Sequence, residues 1–99
     1  MDITVQEVKQ RLDAGEHLHL IDVRNPDEHE FENIGGQLVP LGDLADELDS
    51  LENLKNEEVI VYCRSGNRSG RAKQMLEQAD FTNVRNMLGG MLAYNEAHG

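Results

Sequence analysis

Val59-Ile60-Val61-Tyr62-Cys63-Arg64-Ser65-Gly66-Asn67-Arg68-Ser69 is the stretch on which the reading of this chain turns. A β-branched apolar run leads into the only cysteine of the sequence. Two arginines and a glycine follow, and then a segment with helical periodicity. Apolar residues on both strand faces mark a central parallel strand, so the thiol falls where that strand ends and a helix begins. The unpaired amides of a helix N-terminus favour an anion there, and thiol reactivity follows the thiolate fraction. The expectation is a nucleophilic cysteine. A buried core cysteine is the bland alternative, but it needs no basic surroundings. Here Arg64, Arg68, Arg71 and Lys73 supply four of nine Lys and Arg, in a chain of net charge −10, and no acid lies between Glu58 and Glu77. That island reads as a seat for an anion.

Outward from this stretch, strand and helix signals alternate. Thr4 and Glu7 suggest a capping box for a first helix striped by Val5, Val8 and Leu12 and stopped at Gly15. Leu18 to Val23 reads as a strand ending in Asp22-Val23-Arg24. Asn25-Pro26 opens a short acidic helix through Phe31. Leu38-Val39 is a brief strand, and Leu44, Leu48 and Leu51 mark a further helix. Ala72, Met75, Leu76 and Ala79 form the inner stripe of the helix after Cys63. Val84 to Met87 is the last strand, Gly89-Gly90 the turn after it, and Met91 to Ala97 a terminal helix. Strands separated by helices imply an α/β domain with a mostly parallel sheet covered by helices on both faces. Residues 1–99 are expected to form one domain, able to bury roughly two thirds of its unfolded surface. Ligands of such sheets bind beyond the strands' carboxyl ends, which is where Cys63 falls.

Several classes are excluded or disfavoured. One cysteine allows no internal disulfide and no multi-cysteine zinc site. His17, His19, His29 and His98 show no ligand spacing, so no metal is expected. The acidic balance argues against nucleic acid. No apolar run approaches a membrane span, and the N-terminus turns charged at Asp2, so a cytoplasmic protein without membrane contact is expected.

The chain resembles the rhodanese family, the single-domain sulfurtransferases, over nearly its whole length. The resemblance rests on Leu20-Ile21-Asp22-Val23-Arg24, the acidic stretch with Glu28, Ile34-Gly35-Gly36 before Pro40-Leu41, the Val59 to Ser69 segment, and Gly89-Gly90. Asn33 stands where many relatives have histidine, and Gly35 where many have proline. The resemblance implies a rhodanese-like fold and sulfur transfer through a persulfide on Cys63. A donor such as thiosulfate would supply the sulfur, a thiol or protein acceptor would remove it, and no cofactor would be needed. The loop residues Arg64, Ser65, Gly66, Asn67 and Arg68 would bind the donor, with amides turned inward as in an anion nest. Either Arg64 or Arg68 could neutralise the donor, and the other could brace the loop. Asp22, Arg24, Glu28 and Ser69 read as structural support. Arg24 is expected to pair with Glu28 across one turn, Asp22 to hold nearby backbone, and Ser69 to start the helix. Two alternatives remain open. A persulfide carrier or regulatory module would need the same persulfide. A cysteine phosphatase or arsenate reductase also places thiolate and arginine before a helix, but the phosphatase signature has five residues between them, and Cys63 and Arg68 are separated by four.

Overall fold

The strand that leads into Cys63 is central in the sheet, and its side-chain parity organises both layers. The computed structural model describes residues 1–99. Four parallel strands, β1 (His19–Asp22), β2 (Gln37–Leu38), β3 (Glu58–Tyr62) and β4 (Asn83–Asn86), lie in the order β2-β1-β3-β4. Ile21 pairs with Val61, and Asp22 with Tyr62. Val61 pairs on its other side with Asn86. A parallel bridge from Ile3 to Met87 ties the N-terminus to the sheet beyond β4. The expected mostly parallel sheet is therefore present.

Helices cover both faces. α1 (Val5–Asp13) and α5 (Gly90–His98) pack on one side. There Ile60 and Tyr62 join Ile3, Val8, Leu20, Met87 and Met91 in one core. The other side carries α3 (Leu44–Glu47) and α4 (Asn67–Gln78). There Val59, Val61 and Cys63 join Ile21, Leu44, Leu51, Ala72 and Leu76. Residues i and i+2 of a strand share a face, so Cys63 continues the Val59–Val61 row onto the α4 side. The short α2 (Pro26–Phe31) buries no residue fully and stands at the carboxyl end of β1.

Three local expectations are corrected. Thr4 caps α1 by accepting from the Glu7 N–H at 3.1 Å, but Glu7 turns its carboxylate toward Arg85 and Arg11 rather than back to Thr4. The capping box is half formed. The continuous helix read from Leu44, Leu48 and Leu51 is instead a 3-10 turn (Leu41–Asp43), α3, and a second 3-10 segment (Asp49–Leu54). Leu48, Leu51 and Leu54 are spaced by three, which aligns them on one side of a 3-10 helix. The last strand ends at Asn86, and Met87 serves the bridge to Ile3.

At the sheet's other end, Arg11 forks onto Glu58 at 2.7 and 2.9 Å, and Arg85 reaches the same carboxylate at 2.8 Å. The Arg11 bond outweighs burial and, with Arg85, lowers the Glu58 pKa from 4.5 to about 2. An acid so depressed stabilises the fold fully above its unfolded pKa and loses that contribution as pH falls through the folded value. Melting temperature is therefore expected to fall between pH 4.5 and about 2. In Glu58→Gln the neutral-pH melting temperature should be lower and the slope in that window shallower. Parallel slopes in thermal melts would contradict this linkage.

Candidate active site

The carboxyl edge of the sheet brings together the ends of three neighbouring strands: Asp22 on β1, Cys63 just past β3, and Asn86 on β4. From Cys63 the chain turns through Gly66, whose φ of 102° lies in the left-handed region that glycine adopts without strain. α4 then starts at Asn67. This geometry folds the first turn of the helix back over the sulfur. Cys63 Sγ accepts from the Gly66 N–H at 3.1 Å and from the Ser69 N–H at 3.4 Å, and it lies 3.3 Å from Ser69 Oγ. Cys63 is only 1% exposed. Burial by itself pushes the thiol pKa up. Bonds from the Ser69 hydroxyl and from the amides of Ser69, Gly66 and Ser65 outweigh it and leave the pKa below the usual thiol value. A thiolate is therefore favoured by the amides of a helix start.

The loop is held from two further directions. α5 enters with its first amides aimed at the loop: Met91 N–H donates to Cys63 O at 2.9 Å, and Leu92 N–H to Arg64 O at 3.0 Å. Gly90 sits between them at φ 59°, where an added Cβ would collide with Cys63 O and the Arg64 carbonyl. The Gly89-Gly90 pair is thus required by close backbone approach as well as by a tight turn. From β4, Asn86 Nδ2 donates to Gly66 O at 3.2 Å, and its Oδ1 accepts from the Ser69 hydroxyl at 2.6 Å. Asn86 was not singled out in the sequence, yet it braces both residues that cradle the sulfur.

The charged residues are arranged differently from the sequence expectation. Arg24 does not pair with Glu28. It folds back on Asp22, with Nε to Oδ1 at 2.9 Å and an Nη to Oδ2 at 2.8 Å, and it also donates to Glu32 O at 2.7 Å. Asp22 accepts in addition from the Arg24 N–H, and its Oδ2 lies 2.8 Å from His29 Nδ1. Burial would raise the Asp22 pKa, but the Arg24 and His29 bonds keep it lowered. Both Asp22 and Arg24 are buried. A buried two-residue fork is better satisfied by this geometry than a one-turn pair on an exposed helix would be. Glu28 instead takes Arg68 in a bidentate bond at 2.7 and 2.9 Å and accepts from the Asn25 N–H. The Arg68 bond draws its pKa down from 4.5 to about 2. Arg68 is thus tied across the mouth of the loop to α2.

Of the basic island, Lys73 is bound to Asp2 and Arg68 to Glu28, whereas Arg64 on the loop and Arg71 further along α4 are exposed and form no ion pair. Ser65 and Asn67 lie exposed on the loop rim. The side chains of Asp22, Arg24, Glu28 and Ser69 surround this loop, and Arg64 borders an open groove of about 420 Å³ between α2 and α5. The arrangement can hold one anionic sulfur in a small amide-lined cradle, with one free guanidinium outside it.

A parallel α/β domain with a thiolate cradle at a strand-to-helix turn matches the family model described as "Rhodanese-like domain" over residues 4–97. The chain belongs to the rhodanese family. It is 33% identical over 91 residues to the putative sulfur carrier protein YrkF of Bacillus subtilis, covering 91% of this chain and 48% of that protein. It is 36% identical over 69 residues to the thiosulfate sulfurtransferase PspE of Escherichia coli, covering 69% of this chain and 66% of that one. The chain thus spans less than two thirds of the length of these relatives. Among solved structures, it superposes on a rhodanese-like domain protein from Staphylococcus aureus with a TM-score of 0.85 at 31% identity, covering 95% and 91% of the two chains.

Proposed function

We propose that the protein moves a sulfane sulfur from an anionic donor such as thiosulfate to a thiophilic acceptor through a persulfide on Cys63. The Cys63 thiolate attacks the outer sulfur of the donor. A new S–S bond forms, the donor's S–S bond breaks, and sulfite leaves with the electron pair. An acceptor nucleophile then attacks the outer persulfide sulfur, and Cys63 returns to thiolate. The two steps balance without oxidant, metal or organic cofactor.

The observation that carries this reading is the cradle itself, with Gly66 N–H and Ser69 N–H both on the sulfur. Amides so placed stabilise the attacking thiolate, and the same nest suits the negative outer sulfur of a persulfide. Arg64 is assigned to the donor's charge, because Arg68 is already neutralised by Glu28. The short loop supports sulfur over phosphorus. A phosphoryl group needs donors around three equatorial oxygens, and here Arg68 is held by α2.

A carrier role is the second reading. It is favoured by the likeness to a protein described as a sulfur carrier, and it would use the same Cys63 persulfide without rapid release to small acceptors. Incubation with thiosulfate is expected to add one sulfur to the intact mass, and addition of cyanide should release thiocyanate with continued sulfite formation. Hydrolysis of an aryl phosphate should be negligible. Phosphatase turnover without sulfite would overturn the assignment, and one sulfite per chain with no further turnover would assign the carrier role.

A further inference from the structure

The groove between α2 and α5 is not needed to hold a thiosulfate-sized donor, yet it opens beside the reactive loop. Phe31, Met91 and Leu92 line it together with Asp27, Glu32 and Arg64. Phe31 is 86% exposed and Leu92 is 48% exposed. One exposed apolar residue on a surface means little. Here one of only two phenylalanines stands on the helix whose Glu28 holds Arg68, and it faces a leucine on the helix whose amides hold Cys63 and Arg64. Apolar side chains gathered in a concavity beside a chemical centre mark a contact surface.

Charge selects the occupant. The basic groups that α2 meets are already engaged, with Arg24 on Asp22 and Arg68 on Glu28. Asp27, Glu30 and Glu32 meet no cationic side chain, and Glu32 Oε1 takes only an amide proton from Asn95. Arg64 is the one cation lining the groove that has no ion pair. Asp27 and Glu32 are thus the two unpaired acids lining the groove, on the α2 side, apart from the loop where Arg64 serves the donor, so the field along α2 favours a cationic side chain.

Resting on the sulfur-transfer reading above, we infer that this groove docks the acceptor, and that the acceptor is a protein cysteine on a segment with an apolar side chain and Lys or Arg neighbours. The apolar side chain covers Phe31 and Leu92, and the basic neighbours face Asp27 and Glu32. The acceptor thiolate then attacks the outer sulfur of the Cys63 persulfide. The S–S bond breaks, its electron pair returns to Cys63, and the acceptor leaves as a persulfide.

The test loads the full chain with thiosulfate, removes excess donor, and follows single-turnover transfer by mass to two cysteine peptides. Both carry the same leucine beside cysteine, one flanked by lysines and the other by glutamates. The basic peptide should react about tenfold faster, a gap that shrinks with added salt. Phe31→Ser removes the apolar surface that the peptide's leucine would cover, so it should slow the basic peptide by about tenfold. Asp27→Lys should erase or invert the peptide preference. Thiosulfate-to-cyanide turnover should stay within about twofold in Phe31→Ser, since the uncharged Phe31 does not touch the cradle. Equal rates for the two peptides, or unchanged peptide transfer in Phe31→Ser, would overturn the inference while leaving sulfur transfer standing. Self-association in sedimentation that is lost in Phe31→Ser would give the groove to a second copy and overturn it likewise. Failure to form any persulfide would instead overturn the sulfur-transfer reading and this inference with it.

Discussion

Cys63→Ser is expected to fold normally and to lose sulfur transfer by a factor on the order of a thousand or more, because a neutral hydroxyl replaces a thiolate as nucleophile. The swap is nearly isosteric. The Gly66 and Ser69 amides that now face the sulfur would face an oxygen that can accept from them, so no buried donor is orphaned. The cost is a small loss of apolar contact with the core that includes Val61, Ala72 and Leu76, worth about 1 kcal/mol or less. Melting temperature should therefore move by a few degrees, while the intact mass gains no sulfur from thiosulfate. Measurable turnover in the variant would show that the thiol is not the nucleophile. A large fall in stability would show instead that Cys63 is chiefly a core residue, which is the alternative its near-complete burial keeps in play.

That burial illustrates what the sequence could and could not carry. The apolar run from Val59 to Tyr62 placed the thiol at the end of a central strand, and a short run apolar on both faces and bounded by turn signals is enough for that. The helix after it was legible from Ala72 and Leu76, as was the need for small residues at Gly89-Gly90. Ion pairing was not legible. Arg24 and Glu28 have one-turn spacing, but Arg68, 40 residues away from Glu28 in sequence, takes that carboxylate. Sequence spacing describes neighbours on one helix and is silent on which long side chain arrives from another element. The break in the Leu44 to Leu51 helix has the same origin, since a spacing of three or four fits either helix type until packing decides. Asn86 was the missed residue with a readable signal. It lies two residues after Val84, so it shares the buried face of β4, and a polar side chain buried at a sheet's carboxyl end requires partners. Phe31, by contrast, carried no sequence signal of exposure, because an apolar residue at a helix end ordinarily packs inward.

Asn86→Asp is expected to raise the pH at which Cys63 alkylates and to reduce turnover at neutral pH by about tenfold or more. Asn86 Nδ2 donates to Gly66 O, which fixes its Oδ1 toward Ser69. The Ser69 hydroxyl, 2.6 Å from that oxygen and 3.3 Å from Cys63 Sγ, has one proton to give. It goes to Asn86 while Cys63 is a thiol. When Cys63 ionises, the same proton is wanted by the sulfur, and Asn86 competes for it. A carboxylate competes harder than an amide, adds negative charge one hydrogen bond from the cradle, and sets oxygen against Gly66 O in place of a donor. Each effect disfavours the thiolate, and a shift of one unit corresponds to about 1.4 kcal/mol. Burial also presses the introduced carboxyl to stay protonated, so the effect should be largest at the alkaline side of the profile. Asn86→Ala separates brace from charge. It leaves Gly66 O with the Gly70 N–H alone, at a cost of about 1 kcal/mol, so turnover should fall by about fivefold. It also frees the Ser69 proton for the thiolate, so the iodoacetamide pKa should hold or fall. The opposite movement of the two pKa values is the signature of a competed proton. Equal upward shifts in both variants would mean that Asn86 acts only by holding the loop.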